Sequence, residues 1–177
     1  MSELIEIDGT MAEGGGQILR GALALAGATG RPLRVVGARA NRPKPGLMRQ
    51  HLTAIRAVAQ VCAAEVEGAA LGSTTIEVRP GTVRGGDYVI DIGSAGSVPL
   101  VLQALVPPLA RAGVVSRVVI TGGTHNPMAP PFEFLAQALA PQLAAIGWAV
   151  ELALVRPGFA PAGSFIRAPD LLGNRPG

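Results

Sequence analysis

Arg39, Arg42, Lys44 and Arg49 crowd one short stretch of this chain. Pro43 and Pro45 stiffen the same stretch, so the cations are held apart on a preset backbone instead of folding onto the nearest carboxylate. Guanidinium groups fixed in this way match phosphate oxygens. Gln50 and His51 follow at the start of a predicted helix, where His51 suits a phosphate ligand, a proton donor or a packing residue. A solvated basic loop is the alternative the pattern leaves open.

A second anion-binding pattern lies upstream, in Glu13-Gly14-Gly15-Gly16-Gln17. Consecutive glycines let backbone N–H groups approach an anion, and the helix that follows offers its positive N-terminus. The same residues also make an ordinary strand-to-helix turn, and the Gly-Lys-Ser/Thr ending of a Walker A loop is missing. Gln103 interrupts an otherwise apolar helix. Burying its amide costs about 1–3 kcal/mol without a hydrogen bond, so it faces a partner, a pocket such as one for a base edge, or solvent. His125 sits in the turn-forming run Gly122 to Pro127.

The whole composition narrows the partner. Hydrophobic residues make up 49% and charged residues 15%, which excludes intrinsic disorder. Aromatic residues are only 3%, too few for rows of stacked bases. A net charge of +3, concentrated in the Arg39–Arg49 region, points to phosphate. The single Cys62 excludes an internal disulfide and a cysteine-based zinc site, and no run is long enough to span a membrane; a cytoplasmic chain is expected.

These residues need a scaffold, and the periodicity supplies one. Strands are predicted over 4–7, 33–36, 74–78, 88–92, 116–121 and 149–155, and helices over 17–28, 47–64, 99–112 and 132–146. The order strand, helix, strand, helix, strand runs twice, and Val78-Arg79-Pro80-Gly81 recurs as Val155-Arg156-Pro157-Gly158. The expected architecture is an α/β sandwich of α+β type, built from repeated units of a small sheet backed by two helices, the parallel strands joined by crossovers. One unit is expected over 1–81, a second over 82–163, and an unstructured, unrelated tail over 164–177.

Five ordered motifs, EGGGQILR from Glu13, RPKPGLMRQHL from Arg42, PGTVRGGDY from Pro80, GSAGS from Gly93 and GGTHNPMAPP from Gly122, resemble those of the RNA 3'-terminal phosphate cyclases. The resemblance runs from about Ile5 to Gly163. It implies a four-stranded sheet backed by two helices in each repeat, as in enolpyruvyl-transferase-like folds, with a smaller inserted domain. It also implies an enzyme of the ligase class acting on RNA 3'-phosphate ends. ATP adenylylates a histidine, AMP passes to the RNA 3'-phosphate, and the adjacent 2'-hydroxyl closes a 2',3'-cyclic phosphate.

Carried over by motif, Glu13 helps hold a divalent metal (Mg or Mn), Gln103 and Pro130 border the adenosine of ATP, and Arg20, Arg39, Arg42, Lys44, Arg49, Gln50 and His51 line the phosphate or RNA site. The resemblance stops at Ser164. On that reading the chain is truncated, the nucleophilic histidine lies in the missing part, and neither His51 nor His125 takes its role. Two rivals remain: a non-catalytic cyclase-like protein that binds RNA or ribosome-biogenesis partners, and an inactive product of a degraded gene.

Overall fold

The computed structural model describes residues 3–11, 14–159 and 164–171. Sequence alternation builds the first sheet. β1 (Ile5–Asp8) pairs parallel with β2 (Leu33–Val36) after the crossover helix α1 (Gly16–Thr29), as a strand-helix-strand connection allows. Helix α2 (Arg49–Cys62) then leads into β3 (Glu65–Glu67) and β4 (Ile76–Arg79), giving the order β1-β2-β4-β3 with β4 antiparallel to both neighbours.

Period-2 alternation sends Leu33, Val35, Ile76 and Val78 into the core and the charged residues outward. The outer partners are matched by register. Arg34 stands opposite Glu77 and donates two hydrogen bonds to Glu77 Oε2, at 3.0 and 2.8 Å.

The second sheet repeats the plan. β5 (Asp87–Asp91), helix α3 (Val98–Ala110) and β6 (Ser116–Gly122) form the parallel crossover, with Tyr88, Ile90, Val118 and Ile120 turned inward. α4 (Phe132–Phe134) continues through a π-helical stretch, Leu135–Leu139, into α5 (Ala140–Ala145). Pro141 has no N–H to close the ordinary α bond to the residue 137 carbonyl, and Ala140 N–H reaches back to Leu135 instead. β7 (Val150–Leu154) and β8 (Ser164–Leu171) complete the order β5-β6-β8-β7. Helices α1 and α2 both pack on α3, so a single apolar core, with Leu23, Ile55 and Leu105 among its most buried members, joins the two sheets.

Two expectations need correction. The stretch after Ser164 was expected to be an unstructured tail, yet over Ser164–Leu171 its backbone forms β8, inserted between β6 and β7 and antiparallel to both. Its local pattern is weak because ladder bonds on two sides, not its own periodicity, hold it. Pro169, which cannot donate, falls where the register slips against both neighbours. Residues 172–177 lie outside the described residues.

The repeat register also differs from the one the tetrapeptides suggest. Val78 lies in β4, an inner strand, while Val155 follows β7, an edge strand. By sheet position the counterpart of β4 is β8, and that of β7 is β3, a three-residue strand too short to register as a period.

Candidate functional site

Three helix starts meet over one cavity. α1 begins after Gly15, which caps it with no side chain, and its first turn carries no acidic residue. α2 begins at Arg49, and α3 begins after Ser97, whose hydroxyl accepts from Leu100 N–H at 3.3 Å. Positive helix ends of this kind attract anions.

The starts of α2 and α3 are tied together. Ser97 N–H donates to Gln50 Oε1 at 2.8 Å, and Arg49 Nη1 donates to the Gly93 carbonyl at 3.1 Å. Between the three starts lies a cavity of about 440 Å³.

Arg20, Arg39, Arg42 and His51 all line it. A Cβ built on Gly16 would overlap His51 Nε2 and lie 2.9 Å from Arg20 Nη1, and one on Gly15 would lie 3.1 Å from Arg42 Nη2. The bare glycine backbone is therefore what lets these side chains close over the start of α1. Arg39 is held in a left-handed conformation, φ 59°, and donates to the carbonyls of Lys44 and Gly46 at 3.1 and 3.2 Å. Those bonds offset a backbone cost of about 1–2 kcal/mol and fix where its charge sits.

The electrostatics follow from this crowding. Burial lowers the pKa of Arg20, and burial together with Arg42 lowers that of Arg39. His51 is pushed down to about 4, first by burial and then by Arg39 and Arg20. Its Nδ1 accepts from Met48 N–H at 3.1 Å, so the neutral ring carries its proton on Nε2, the atom beside Gly16. No carboxylate stands among the described residues that line the cavity, which is a cluster of donors suited to an anion.

Other expected site residues lie apart. Lys44 lines a neighbouring apolar cavity, and Arg49 lines that one and a third, so neither faces the anion cavity. Gln50 reaches it, but its carbonyl oxygen is already engaged by Ser97. Gln103 is half-buried in a small space of about 190 Å³ that shares Gln17 and Arg20 with the anion cavity. Pro130 lines neither space, although its neighbour Ala129 lines the anion cavity. Glu13 falls outside the described residues. Among those described, no three His, Cys, Asp or Glu side chains group to hold a metal ion.

Gln17, the last residue of the glycine-rich pattern, lines the cavity as well, whereas sequence reasoning missed Ser97 and the loop Asn126 to Ala129, which also line it. Ser97 carries a legible signal, a serine just before Val98-Pro99 at a helix start. Asn126 does not. Its Nδ2 donates to the Ala95 carbonyl at 2.6 Å while its Oδ1 is buried without a partner among the described residues. His125 is used structurally: it contacts Thr124 Oγ1 and the Glu133 carboxylate, and its ring stacks on Phe159 at 5.1 Å.

Comparison with known proteins identifies the family. A family model described as RNA 3'-terminal phosphate cyclase matches residues 11–165. An RNA 3'-terminal phosphate cyclase of Pseudomonas fluorescens is 56% identical over 161 residues, covering 91% of this chain and 46% of its own length. The chain thus spans about half the length of that curated relative. On both grounds, this chain belongs to the RNA 3'-terminal phosphate cyclase family.

Proposed function

We propose that this chain carries the phosphate-binding part of an ATP-dependent RNA 3'-phosphate cyclase, and that the anion cavity receives the terminal phosphate of the RNA. The observation that carries this reading is the convergence of Arg20, Arg39, Arg42 and His51 on the start of α1, with no described carboxylate among them. In the family reaction AMP passes from ATP, through a histidine, to the RNA 3'-phosphate. The 2'-hydroxyl then attacks that phosphorus and AMP leaves.

The part of this chain in that reaction is electrostatic. Arg20, Arg39 and Arg42 balance the charge on the phosphate oxygens, and neutral His51 donates from Nε2 instead of serving as an acid near pH 7. Adenosine beside Gln103 and Pro130 would place the nucleotide phosphates toward Arg20. The space at Gln103 is too small to enclose a nucleoside by itself. The cavity does not fit a bare cation, because its described lining offers positive charge and no carboxylate.

Fluorescence anisotropy with a short oligoribonucleotide tests the reading. The 3'-phosphorylated form should bind at least tenfold more tightly than the 3'-hydroxyl form, and its affinity should fall as salt rises. Arg42→Ala should weaken it by about tenfold to a hundredfold, the worth of a hydrogen bond to a charged group, and lower the salt slope by about 0.7. Equal binding of the two ends would remove the terminal phosphate from this cavity.

A glycine pair on α1 gives an independent check. Gly16→Ala should weaken binding of the phosphorylated oligonucleotide by about tenfold, because the new methyl group displaces His51 and Arg20. Gly21→Ala meets nothing within 4 Å among the described residues and should leave binding unchanged while stabilising α1 by about 0.5–1 kcal/mol. Binding that drops equally in both variants would point to the helix and not to the cavity.

A further inference from the structure

The anion cavity does not end at His51. Gln50 and His51 also line a second cavity of about 600 Å³, whose other walls include Lys44, Met48 and Leu71. Arg49 and Leu71 in turn line a third, of about 570 Å³, together with Arg56. The second space shares wall residues with each of the other two, which share none with one another, so the three follow in line from the start of α1 across the start of α2.

We propose that this path is the track of the RNA strand: the nucleoside next to the phosphorylated end sits over Met48 and Leu71, and the phosphate that follows meets Arg49 and Arg56. This rests on the terminal phosphate occupying the anion cavity.

Each part of the track has the chemistry its occupant needs. Met48 is 45% exposed and Leu71 62% exposed, two large apolar side chains left open beside cations. A base has an apolar face that aliphatic side chains can cover, which suits a chain with so few aromatic residues. The second cavity is within the size range of small-ligand sites. Arg49 and Arg56 stand two turns apart on α2, on one face with Thr53, about 10 Å along the axis. Asp91, the carboxylate in that third space, accepts from Gly93 N–H at 2.8 Å and belongs to its own turn.

Calorimetry with a ribonucleoside 3'-phosphate and with 3'-phosphorylated di- and trinucleotides of one sequence tests the track. Affinity should rise about threefold or more with each added nucleotide. Arg56→Ala should weaken the trinucleotide about fivefold and leave the mononucleotide unchanged, and Leu71→Ala should weaken the di- and trinucleotide about threefold. Both side chains are exposed, so both variants should fold.

Equal affinity for all three lengths, or a trinucleotide indifferent to both substitutions, overturns the track while leaving the anion cavity intact. ATP binding that falls in Leu71→Ala while the trinucleotide binds as before gives the second cavity to ATP and overturns it too. Failure of even the mononucleotide to bind overturns the terminal-phosphate reading with it.

Discussion

Replacing Gly46 by alanine is expected to lower the unfolding free energy by about 3 kcal/mol. Gly46 has φ +76°, a left-handed conformation that costs a residue with a side chain about 1–2 kcal/mol. Its Cβ would also overlap the Gly72 carbonyl, 2.5 Å from the carbon and 2.9 Å from Gly72 Cα. Backbone cannot swing aside as a side chain can, so overpacking adds to the conformational cost.

The strain would reach the site, because Leu47 N–H donates to Ser73 and the Leu47 carbonyl accepts from Gly72 on one side, while Arg39 donates to Gly46 on the other. Gly72→Ala is the control. Gly72 has φ +77° but none of the described residues lies within 4 Å of its Cβ position, so only the cost of about 1–2 kcal/mol should appear. Urea denaturation of the two variants measures the difference, and equal losses would show that contact with Gly72 is not what makes Gly46 necessary.

Acid should remove up to about 3 kcal/mol of stability through His51 alone. In the unfolded chain this histidine titrates near 6.5, and in the fold near 4. Between those values the unfolded chain takes up a proton that the folded chain refuses, so stability falls as pH falls from about 6.5 to about 4. Above that window the histidine is neutral in both states and contributes no slope.

His51→Asn keeps an acceptor for Met48 N–H but cannot titrate. The difference in unfolding free energy between the native chain and this variant should therefore shrink by about 3 kcal/mol across the window. A difference independent of pH would mean that His51 is solvated or is paired with an anion in the protein as purified. Inorganic phosphate should flatten the native chain's acid slope, because an anion in the cavity raises the His51 pKa toward its ordinary value.

The elements that carry the site were legible in the sequence wherever the signal was local. Amphipathic spacing located α1 and α2, alternation located β1 and β4, a β-branched run located β2, the repeated element order located α3 and β6, and the proline-stiffened Arg39–Arg49 stretch suggested phosphate as a partner. What the sequence left open was which cations meet. Arg20 and Arg42 are far apart in the chain and come together only because α1 starts beneath the basic loop. Arg49, closer to Arg42 in sequence, turns away to Gly93 because helix geometry points successive residues to different faces.

The misassigned end of the chain has the same cause in reverse. β8 has no pattern strong enough to announce a strand, and it forms where β6 and β7 both present backbone groups to pair. Residue types and periods thus determined the elements and pointed to an anion as the proposed ligand. The identity of the converging side chains, the depressed His51 pKa and the pairing of β8 were decided by tertiary structure, because each depends on neighbours distant in the chain.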